Sequence, residues 1–348
     1  MTKTSLWSSL GRLVTNAHRA RAAAAGSQSA APKVARELSR EQDQKPEPVA
    51  IVWQKRRNTE EHARAPVGFS FTPGGLLFPY QIGIAKALVE AGLLKDSTPL
   101  VGGSAGSLTA VTVASGLCTD AVMEEVQALC ADCRAHGTGL RLHGALLKSL
   151  HAMLPRDVHA TLNARAGACG VLYATVTAAL SLPVGTVATE YESREDVIHC
   201  LLASCHVPFW LNGLPATSVR GRYAIDGFFG TPAKHFGAPD IPYAQHTVRV
   251  SAFPAQFARI EASTEGGLIS PDLLGSRRSA AAMMSLAMNP GSAQQVKDLY
   301  DDGLQSAQLW LDQHGERFRD HQDAHDAEQQ RSDGNSSAPA AARAVPAQ

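Results

Sequence analysis

The sequence lacks the features typical of membrane-spanning, nucleic-acid-binding, disulfide-bonded and metal-binding proteins. No apolar run reaches the roughly 18–20 residues needed to cross a bilayer, so no transmembrane segment is predicted. The 32 Lys and Arg residues balance the 32 Asp and Glu residues, and this absence of a basic excess argues against nucleic acid as a partner. The six cysteines have no paired metal-ligand spacing and no secretory signal precedes them, so we expect reduced thiols. No metal or cofactor is called for.

The N-terminal segment also lacks acidic residues. Residues 1–36 contain six Lys or Arg residues and no Asp or Glu, among many Ala and Ser residues. Three interpretations remain open: an organelle transit peptide for a chloroplast or mitochondrion, a disordered basic tail, or an amphipathic helix that binds anionic lipid. Without a transit peptide, we expect a cytoplasmic protein or one held peripherally on a membrane or lipid droplet.

The composition divides the chain into three parts. We expect residues 1–66 to be a disordered basic segment and linker, and residues 314–348 to be a disordered polar tail. Residues 67–313 are expected to fold as one domain. Within it, β-rich segments such as 67–71, 171–176 and 222–225 alternate with helical ones, which predicts an α/β fold with a mostly parallel central sheet and helices on both faces.

One stretch of this domain carries the pattern of a catalytic nucleophile. The sequence Gly102-Gly103-Ser104-Ala105-Gly106 follows an apolar strand and precedes a helical segment. Such a Gly-x-Ser-x-Gly elbow holds a serine on a sharp strand-to-helix turn with its hydroxyl exposed to substrate. A flexible Gly/Ser turn is the alternative for the motif alone. The flanking strand and helix favour Ser104 as a nucleophile, with Gly102 and Gly106 as the glycines that the turn requires.

A reactive serine also needs hydrogen-bond donors for an oxyanion. The turn after the first strand of the domain contains Gly74 and Gly75, whose N–H groups can point at a negative oxygen beside a helix start. The N–H of Ala105 is a third candidate donor. A simple tight turn is the alternative, whereas a phosphate-binding loop is disfavoured because no Lys-Ser/Thr follows the glycines.

The serine needs a base as well, and the sequence leaves two kinds open. Asp226, followed by Gly227, stands at the end of a predicted strand and is the candidate acid. His235 and His246 follow it in the order Ser, Asp, His of ordinary α/β-hydrolases, so a triad remains an alternative. His199 and His206 precede Asp226 and so do not fit this order.

These motifs occur in the order found in one known family. The chain from about residue 67 to 313 resembles the patatin-like phospholipases, in the branch of adipose triglyceride lipase and adiponutrin. The resemblance is carried by the glycine turn at 73–77, the elbow at 102–106, the segment 203–208 and the Asp-Gly at 226–227. It implies a three-layer α/β/α patatin-type fold and a Ser104–Asp226 dyad without histidine.

The resemblance further implies hydrolysis of fatty acyl esters through an acyl-enzyme. The substrate would be a glycerolipid at a membrane or lipid-droplet surface, and the oligomeric state is left undefined. Two alternatives are acyl transfer to another lipid and a catalytically silent fold that binds lipid or a regulatory partner. An interfacial substrate also favours exposed apolar residues at the mouth of the site. The candidates, about half of which we expect in the core, are Leu76, Leu77, Phe78, Trp210 and Leu211.

The chain departs from the family pattern at three positions. Pro73 and Phe78 stand where the family's oxyanion turn usually has glycine, and Phe228 replaces the second glycine of the usual Asp-Gly-Gly. Proline has no N–H, so Pro73 removes one potential oxyanion donor. Neither Ser104 nor Asp226 is affected.

Overall fold

Short strands form the framework that positions the functional residues. In the computed structural model, which describes residues 51–54, 64–165, 168–176, 183–262, 264–275 and 278–336, nine strands make one mixed sheet. They are β1 (Ile51–Trp53), β2 (Ala65–Phe71), β3 (Leu100–Gly103), β4 (Cys169–Val176), β5 (Val184–Ala188), β6 (Thr217–Val219), β7 (Arg222–Ile225), β8 (Ala244–Val250) and β9 (Leu268–Ile269).

The order of the strands is β1-β5-β4-β3-β2-β8-β9, with β7 beside β4 and β6 beside β7. The run from β4 through β3, β2 and β8 to β9 is parallel, whereas β5 and β7 are antiparallel to β4. The carboxyl ends of β2, β3 and β8 therefore share one edge of the sheet, which is where ligands bind in open α/β sheets.

Helices connect the strands and cover the sheet. They are α1 (Phe78–Glu90), α2 (Ala105–Ala114), α3 (Thr119–His136), α4 (Leu142–Met153), α5 (Val158–Ala164), α6 (Arg194–Ser204), α7 (Ala255–Ala258), α8 (Ala280–Met288), α9 (Ala293–Trp310) and α10 (Glu316–Ser336). In the part of the chain that the structure describes, none of them has the length and hydropathy to cross a membrane.

The core is split between the two faces of the sheet. Leu100 belongs to the main cluster with Phe69 and Trp310, whereas Val101 packs with Leu172 in a smaller cluster on the other face. Successive residues of a strand point to opposite faces, so a strand buried on both sides reads as a continuous apolar run. The predicted α/β/α fold with a mostly parallel central sheet is confirmed.

The predicted domain starts too late. Residues 51–53, assigned to the linker, form β1 and pair in parallel with β5, in the register Ile51↔Gly185. The Trp53 ring packs edge-on against Tyr243 at 5.5 Å between centroids. A strand of three residues has no recognisable alternation, and its partner lies far away in the sequence. The described residues belong to a compact unit that begins at Val49, and the predictions for residues 1–50 lie outside them.

The predicted polar tail is also wrong over residues 316–336, which form α10. Phe318 is buried and stacks on Trp310 with 5.4 Å between ring centroids. Gln322 is buried as well, and its amide donates to Thr98 Oγ1 at 2.9 Å and to the carbonyl of Leu93 at 3.2 Å. Among the described side chains of this helix only Phe318 and Gln322 are buried, which is too weak a pattern to stand out in a polar sequence. Residues 337–348 lie outside the described residues.

Candidate active site

The elbow around Ser104 has the strained backbone that its sequence predicts. Ser104 lies between the end of β3 and the start of α2 with φ 54° and ψ −127°, a conformation that side chains rarely adopt. A Cβ on Gly102 would lie 2.1 Å from the Gly106 carbonyl oxygen, and one on Gly106 would lie 2.2 Å from that of Phe71. Both glycines are therefore required by close backbone contacts, because no side chain fits at either position.

Strand β7 brings Asp226 to Ser104. Strands β3 and β7 both pair with the same edge of β4. Strand β3 runs parallel to β4, with Gly103 opposite Leu172, and β7 runs antiparallel to it, with Ile225 opposite Ala174. Extending both registers by one residue places Ser104 and Asp226 opposite the same residue of β4. The two strands thus meet end to end, and their next residues share one site.

Gly227 makes this meeting sterically feasible. A Cβ at this position would lie 2.4 Å from the Leu172 carbonyl oxygen and 3.1 Å from the Gly103 Cα. The glycine that follows the acid is therefore needed where β3 and β7 approach, and any larger residue would push the strands apart.

Burial controls the chemistry of Asp226. The residue is only 2% exposed, and loss of solvation raises the pKa of its carboxyl to about 7. Hydrogen bonds from the Phe228 N–H, at 2.9 Å to Oδ1, and from the Ser104 hydroxyl oppose this rise. The carboxyl group is therefore in hydrogen-bond contact with the Ser104 hydroxyl, and its raised pKa gives it a basicity that suits a neutral solution.

A buried serine on α6 is hydrogen-bonded to the backbone of the elbow. Ser204 Oγ accepts a hydrogen bond from the Ser104 N–H at 2.8 Å and donates one to the Leu172 carbonyl at 2.5 Å. Ser107 Oγ donates to the Ser104 carbonyl at 2.6 Å. Both backbone groups of Ser104 are thus fixed by side chains. The sequence identified segment 203–208 only through the family resemblance and gave Ser204 no role.

The glycine turn lies beside the elbow, as the sequence predicts for an oxyanion hole. A Cβ on Gly74 would lie 3.8 Å from that of Ala105, and one on Gly75 (φ 54°) would lie 2.3 Å from the Ala287 carbonyl oxygen. The N–H groups of Gly74, Gly75 and Ala105 donate to no acceptor among the described residues. Unpaired N–H donors beside a serine hydroxyl are what stabilisation of an oxyanion requires.

Gln81, a buried residue of α1, fixes this turn. Its amide nitrogen donates to the Thr72 carbonyl at 2.6 Å, and its amide oxygen accepts from Thr109 Oγ1 at 3.2 Å. The side chain therefore links the turn to α2, the helix that begins at the elbow. Gln81 was not predicted from the sequence, since a lone glutamine on an apolar helix face carries no recognisable motif.

Two of the departures from the family pattern lie side by side. A Cβ on Gly237, which has φ 76°, would lie 2.3 Å from Pro73 Cδ and 3.4 Å from the Phe228 Cα. Pro73 and Phe228 therefore pack around one glycine, next to Asp226. Phe78 is buried in a cluster with Ile82. All three substituted side chains are accommodated by packing.

The candidate histidines have other surroundings. His206 is buried, and its Nε2 lies 3.1 Å from the Leu214 carbonyl oxygen, while its backbone carbonyl accepts from the Asp226 N–H at 2.8 Å. His235 Nε2 lies 3.5 Å from Asp240, and His246 stacks near His321. His199 is exposed on α6. Among the described residues, none of these four rings is hydrogen-bonded to Ser104 or Asp226.

The residues predicted at the mouth are mostly in the core. Leu77, Phe78 and Leu211 are buried, and Leu76 and Trp210 are half-buried. Three of the five are thus in the core, in line with the expectation of about half, because α1 and the loop after α6 turn these side chains inwards.

Comparison with known proteins agrees with this geometry. A family model described as patatin-like phospholipase matches residues 70–236, which include the glycine turn, the elbow and Asp226. The human protein named 1-acylglycerol-3-phosphate O-acyltransferase PNPLA3 is 29% identical over 198 residues, which are 54% of this chain and 38% of that protein. This chain thus spans less than two thirds of that relative's length.

Two further relatives differ in the extent of the match. Human patatin-like phospholipase domain-containing protein 4 is 28% identical over 264 residues, covering 70% of this chain and 96% of that protein. Mouse omega-hydroxyceramide transacylase is 28% identical over 171 residues, 47% of this chain and 27% of that protein. Residues 70–236, which contain the elbow, the glycine turn and the Asp-Gly, therefore match the patatin-like phospholipase family, and the relatives support its adiponutrin-like branch.

Proposed function

We propose that the chain is a lipid acyl hydrolase that cleaves fatty acyl esters with a Ser104–Asp226 dyad. The observation that carries this proposal is the buried Asp226 carboxylate in hydrogen-bond contact with the hydroxyl of a serine on a strained elbow. The match to the patatin-like phospholipase model supports a lipid ester as the substrate. A glycerolipid at the surface of a membrane or lipid droplet is the substrate that we propose.

The first half of the reaction forms an acyl-enzyme. Asp226 accepts the hydroxyl proton as Ser104 Oγ attacks the ester carbonyl carbon, and the carbonyl oxygen becomes an oxyanion. The N–H groups of Gly74, Gly75 and Ala105 donate to that oxyanion. When the intermediate collapses, the carbon–oxygen bond to the alcohol breaks and Asp226 returns its proton to the leaving alkoxide.

The second half releases the fatty acid. Asp226, again a carboxylate, takes a proton from a water molecule as the water oxygen attacks the acyl carbon. Collapse of the second intermediate breaks the bond to Ser104 Oγ, which recovers the proton from Asp226. No net proton is left on the site, and the fatty acid and free serine are the products.

Acyl transfer is the second candidate, and the names of two relatives favour it. The human relative is called an acyltransferase and the mouse relative a transacylase. Transfer requires only that an alcohol replace water in the second half of the reaction.

The two reactions are separated by following the acyl group. The full chain is incubated with acyl-labelled phospholipid or triacylglycerol, with and without a lysophospholipid acceptor, and the lipid products are resolved. We expect free fatty acid as the main product in both cases. A label that moves to the acceptor instead would make the protein a transacylase. Neither product, together with no labelling by a fluorophosphonate, would support a lipid-binding protein without activity.

Ser204 offers a test of how the elbow is held. Changing Ser204→Ala leaves the Ser104 N–H and the Leu172 carbonyl without a partner, at about 1–3 kcal/mol for each buried group. We expect kcat and the rate of fluorophosphonate labelling to fall about 10- to 100-fold, with KM little changed.

The matched control for this prediction is Ser306→Ala. Ser306 is equally buried and accepts from the Tyr80 hydroxyl at 2.9 Å, but it lies away from the elbow. It should lower the melting temperature similarly without slowing the labelling of Ser104. If both variants slow labelling in proportion to their loss of stability, Ser204 has no specific role in positioning.

A further inference from the structure

Five aromatic rings form a continuous row that begins beside Asp226. In order of contact they are Phe229, Phe228, Phe236, Phe253 and Phe257, and we call them the phenylalanine row. Successive ring centroids lie 5.1–5.6 Å apart, and the first three contacts are edge-to-face. The Phe228 N–H donates to Asp226 Oδ1 at 2.9 Å, so the row starts at the proposed general base.

The phenylalanine row also passes the elbow and the glycine turn. A Cβ on Gly103, the residue before the nucleophile, would lie 2.9 Å from the carbonyl oxygen of Gly237, which follows the third ring of the row. A Cβ on Gly74 would lie 3.1 Å from that of Ala252, which precedes the fourth ring. An ester carbonyl held between the nucleophile and the glycine turn therefore has the row next to it.

Much of the phenylalanine row remains accessible, although phenylalanine is one of the residues most often buried. Phe228, Phe229 and Phe236 are half-buried, and Phe257 is 40% exposed. Phe236 has φ 44°, in the left-handed region that large L-residues avoid. A strained backbone that holds an accessible ring beside reacting groups indicates a binding role for that ring.

An open pocket lies where the phenylalanine row reaches the surface. Its volume is about 430 Å³, which is in the range of ligand pockets, and α7, the helix turn that carries the last ring, forms one side of it. Leu268 and Leu273 are also in its wall. The Asp272 carboxylate of the same wall accepts from the Ala255 N–H at 2.6 Å and from the Ser270 hydroxyl at 2.8 Å. Its charge is thus held by the protein, and the leucines offer contacts to an apolar ligand.

An ester that reacts at Ser104 needs an apolar place for its alkyl chain, because each methylene taken out of water stabilises the complex. We propose that the phenylalanine row and this pocket form an acyl-chain subsite, which binds the fatty acyl chain with its carbonyl at Ser104 and its methyl end near Phe257. Phe228 stands where the family pattern has glycine, so the resemblance does not imply this subsite. The subsite rests on the proposed function for its purpose, although binding of the chain itself requires no catalysis.

The test measures kcat/KM of the full chain for p-nitrophenyl palmitate and p-nitrophenyl butyrate in the same nonionic detergent. We expect the parent to favour the palmitate by about tenfold or more, because only the long chain extends along the row. In Phe257→Ser and in Phe236→Gly, this preference should fall about tenfold. Glycine adopts the left-handed backbone of residue 236 without strain, which limits the loss of stability. The ratio of the two substrates, measured on one preparation, does not depend on the fraction of folded protein.

The control is Val89→Ser, which removes an apolar side chain of similar exposure, 46%, on α1. It should keep the parent's preference for the palmitate. A parent that hydrolyses the butyrate as well as the palmitate, or a preference that is unchanged in both row variants, overturns the proposal.

A binding measurement separates the acyl-chain subsite from the proposed function. The full chain with Ser104→Ala is titrated with parinaric acid, a fluorescent long-chain fatty acid, and adding Phe257→Ser should raise the Kd about tenfold, whereas adding Val89→Ser should not. Such binding, with no hydrolysis of either ester by the parent, would leave the subsite standing and refute the hydrolase. Hydrolysis by the parent, with the same Kd and the same substrate preference in the row variants, would refute the subsite alone.

Discussion

Replacing Ser104 by alanine is expected to abolish fluorophosphonate labelling and to lower kcat for ester hydrolysis on the order of 10⁶-fold, as loss of the nucleophile does in serine hydrolases. The change removes one buried oxygen and leaves the elbow's backbone contacts in place, including the bond from the residue 104 N–H to Ser204. We therefore expect the fold and the binding of lipid to persist. Intact-protein mass spectrometry after labelling measures the first effect directly.

The control for this variant is Ser115→Ala. Ser115 ends the same helix α2, where its hydroxyl donates to the Val111 carbonyl at 2.6 Å, far from the elbow. It should be labelled as the wild type is. Persistent labelling of Ser104→Ala at a single site would show that another residue is the nucleophile and would end the dyad proposal.

Changing Asp226→Asn is expected to lower kcat by about 10²- to 10⁴-fold, the usual contribution of a general base. The amide keeps the size of the carboxylate and can still accept from the Phe228 N–H, but it cannot take the Ser104 proton. Because the loss concerns the proton acceptor, the slow residual reaction should no longer show the dependence on pH of the wild type.

The pH dependence of the wild type follows from the raised pKa of Asp226. Only the carboxylate accepts a proton, and burial places its pKa at about 7. Hydrolysis should therefore be slow in acid and rise with pH, with a midpoint near pH 7 in the kcat/KM profile, and then reach a plateau. A midpoint near pH 4 would mean that the working base is a solvated carboxyl group.

Burial of Asp226 also makes the folded protein less stable at and above neutral pH than in acid. The pKa of Asp226 is raised from 3.8 to about 7, so between these values the folded protein binds a proton that the unfolded chain has lost. Stability thus falls as the pH rises through this window and stays low above it, by up to about 4 kcal/mol. Asp226→Asn should melt several degrees higher than wild type at pH 8, and this difference should disappear near pH 4.

His235→Gln and His246→Gln are the controls for the dyad. Both residues follow Asp226 in the sequence and would complete a triad, but one lies beside Asp240 and the other stacks near His321. Each variant should keep wild-type activity. Loss of activity in either one, with activity retained in Asp226→Asn, would replace the dyad by a histidine-based mechanism.

The local parts of the site were accessible from the sequence because short motifs dictate them. The elbow requires glycine at 102 and 106 since backbone carbonyls lie about 2 Å from where a Cβ would be. The sheet was also predictable from local patterns, because continuous apolar strands alternate with helices that end near glycine or proline. The weakest predictions were those at the edges of the domain, where β1 has three residues and α10 is held by Phe318 and Gln322.

The sequence by itself determined the strand–turn–helix that presents Ser104, the glycine turn, and Asp226 at the end of a strand, because these depend on neighbouring residues. Only the tertiary structure decided that β7 meets β3 end to end along β4, which brings Asp226 to Ser104 and buries it. It also decided which apolar residues face the solvent, placing Phe209 outside and Leu211 inside. Register and burial arise from residues distant in the chain, and so no local pattern could specify them.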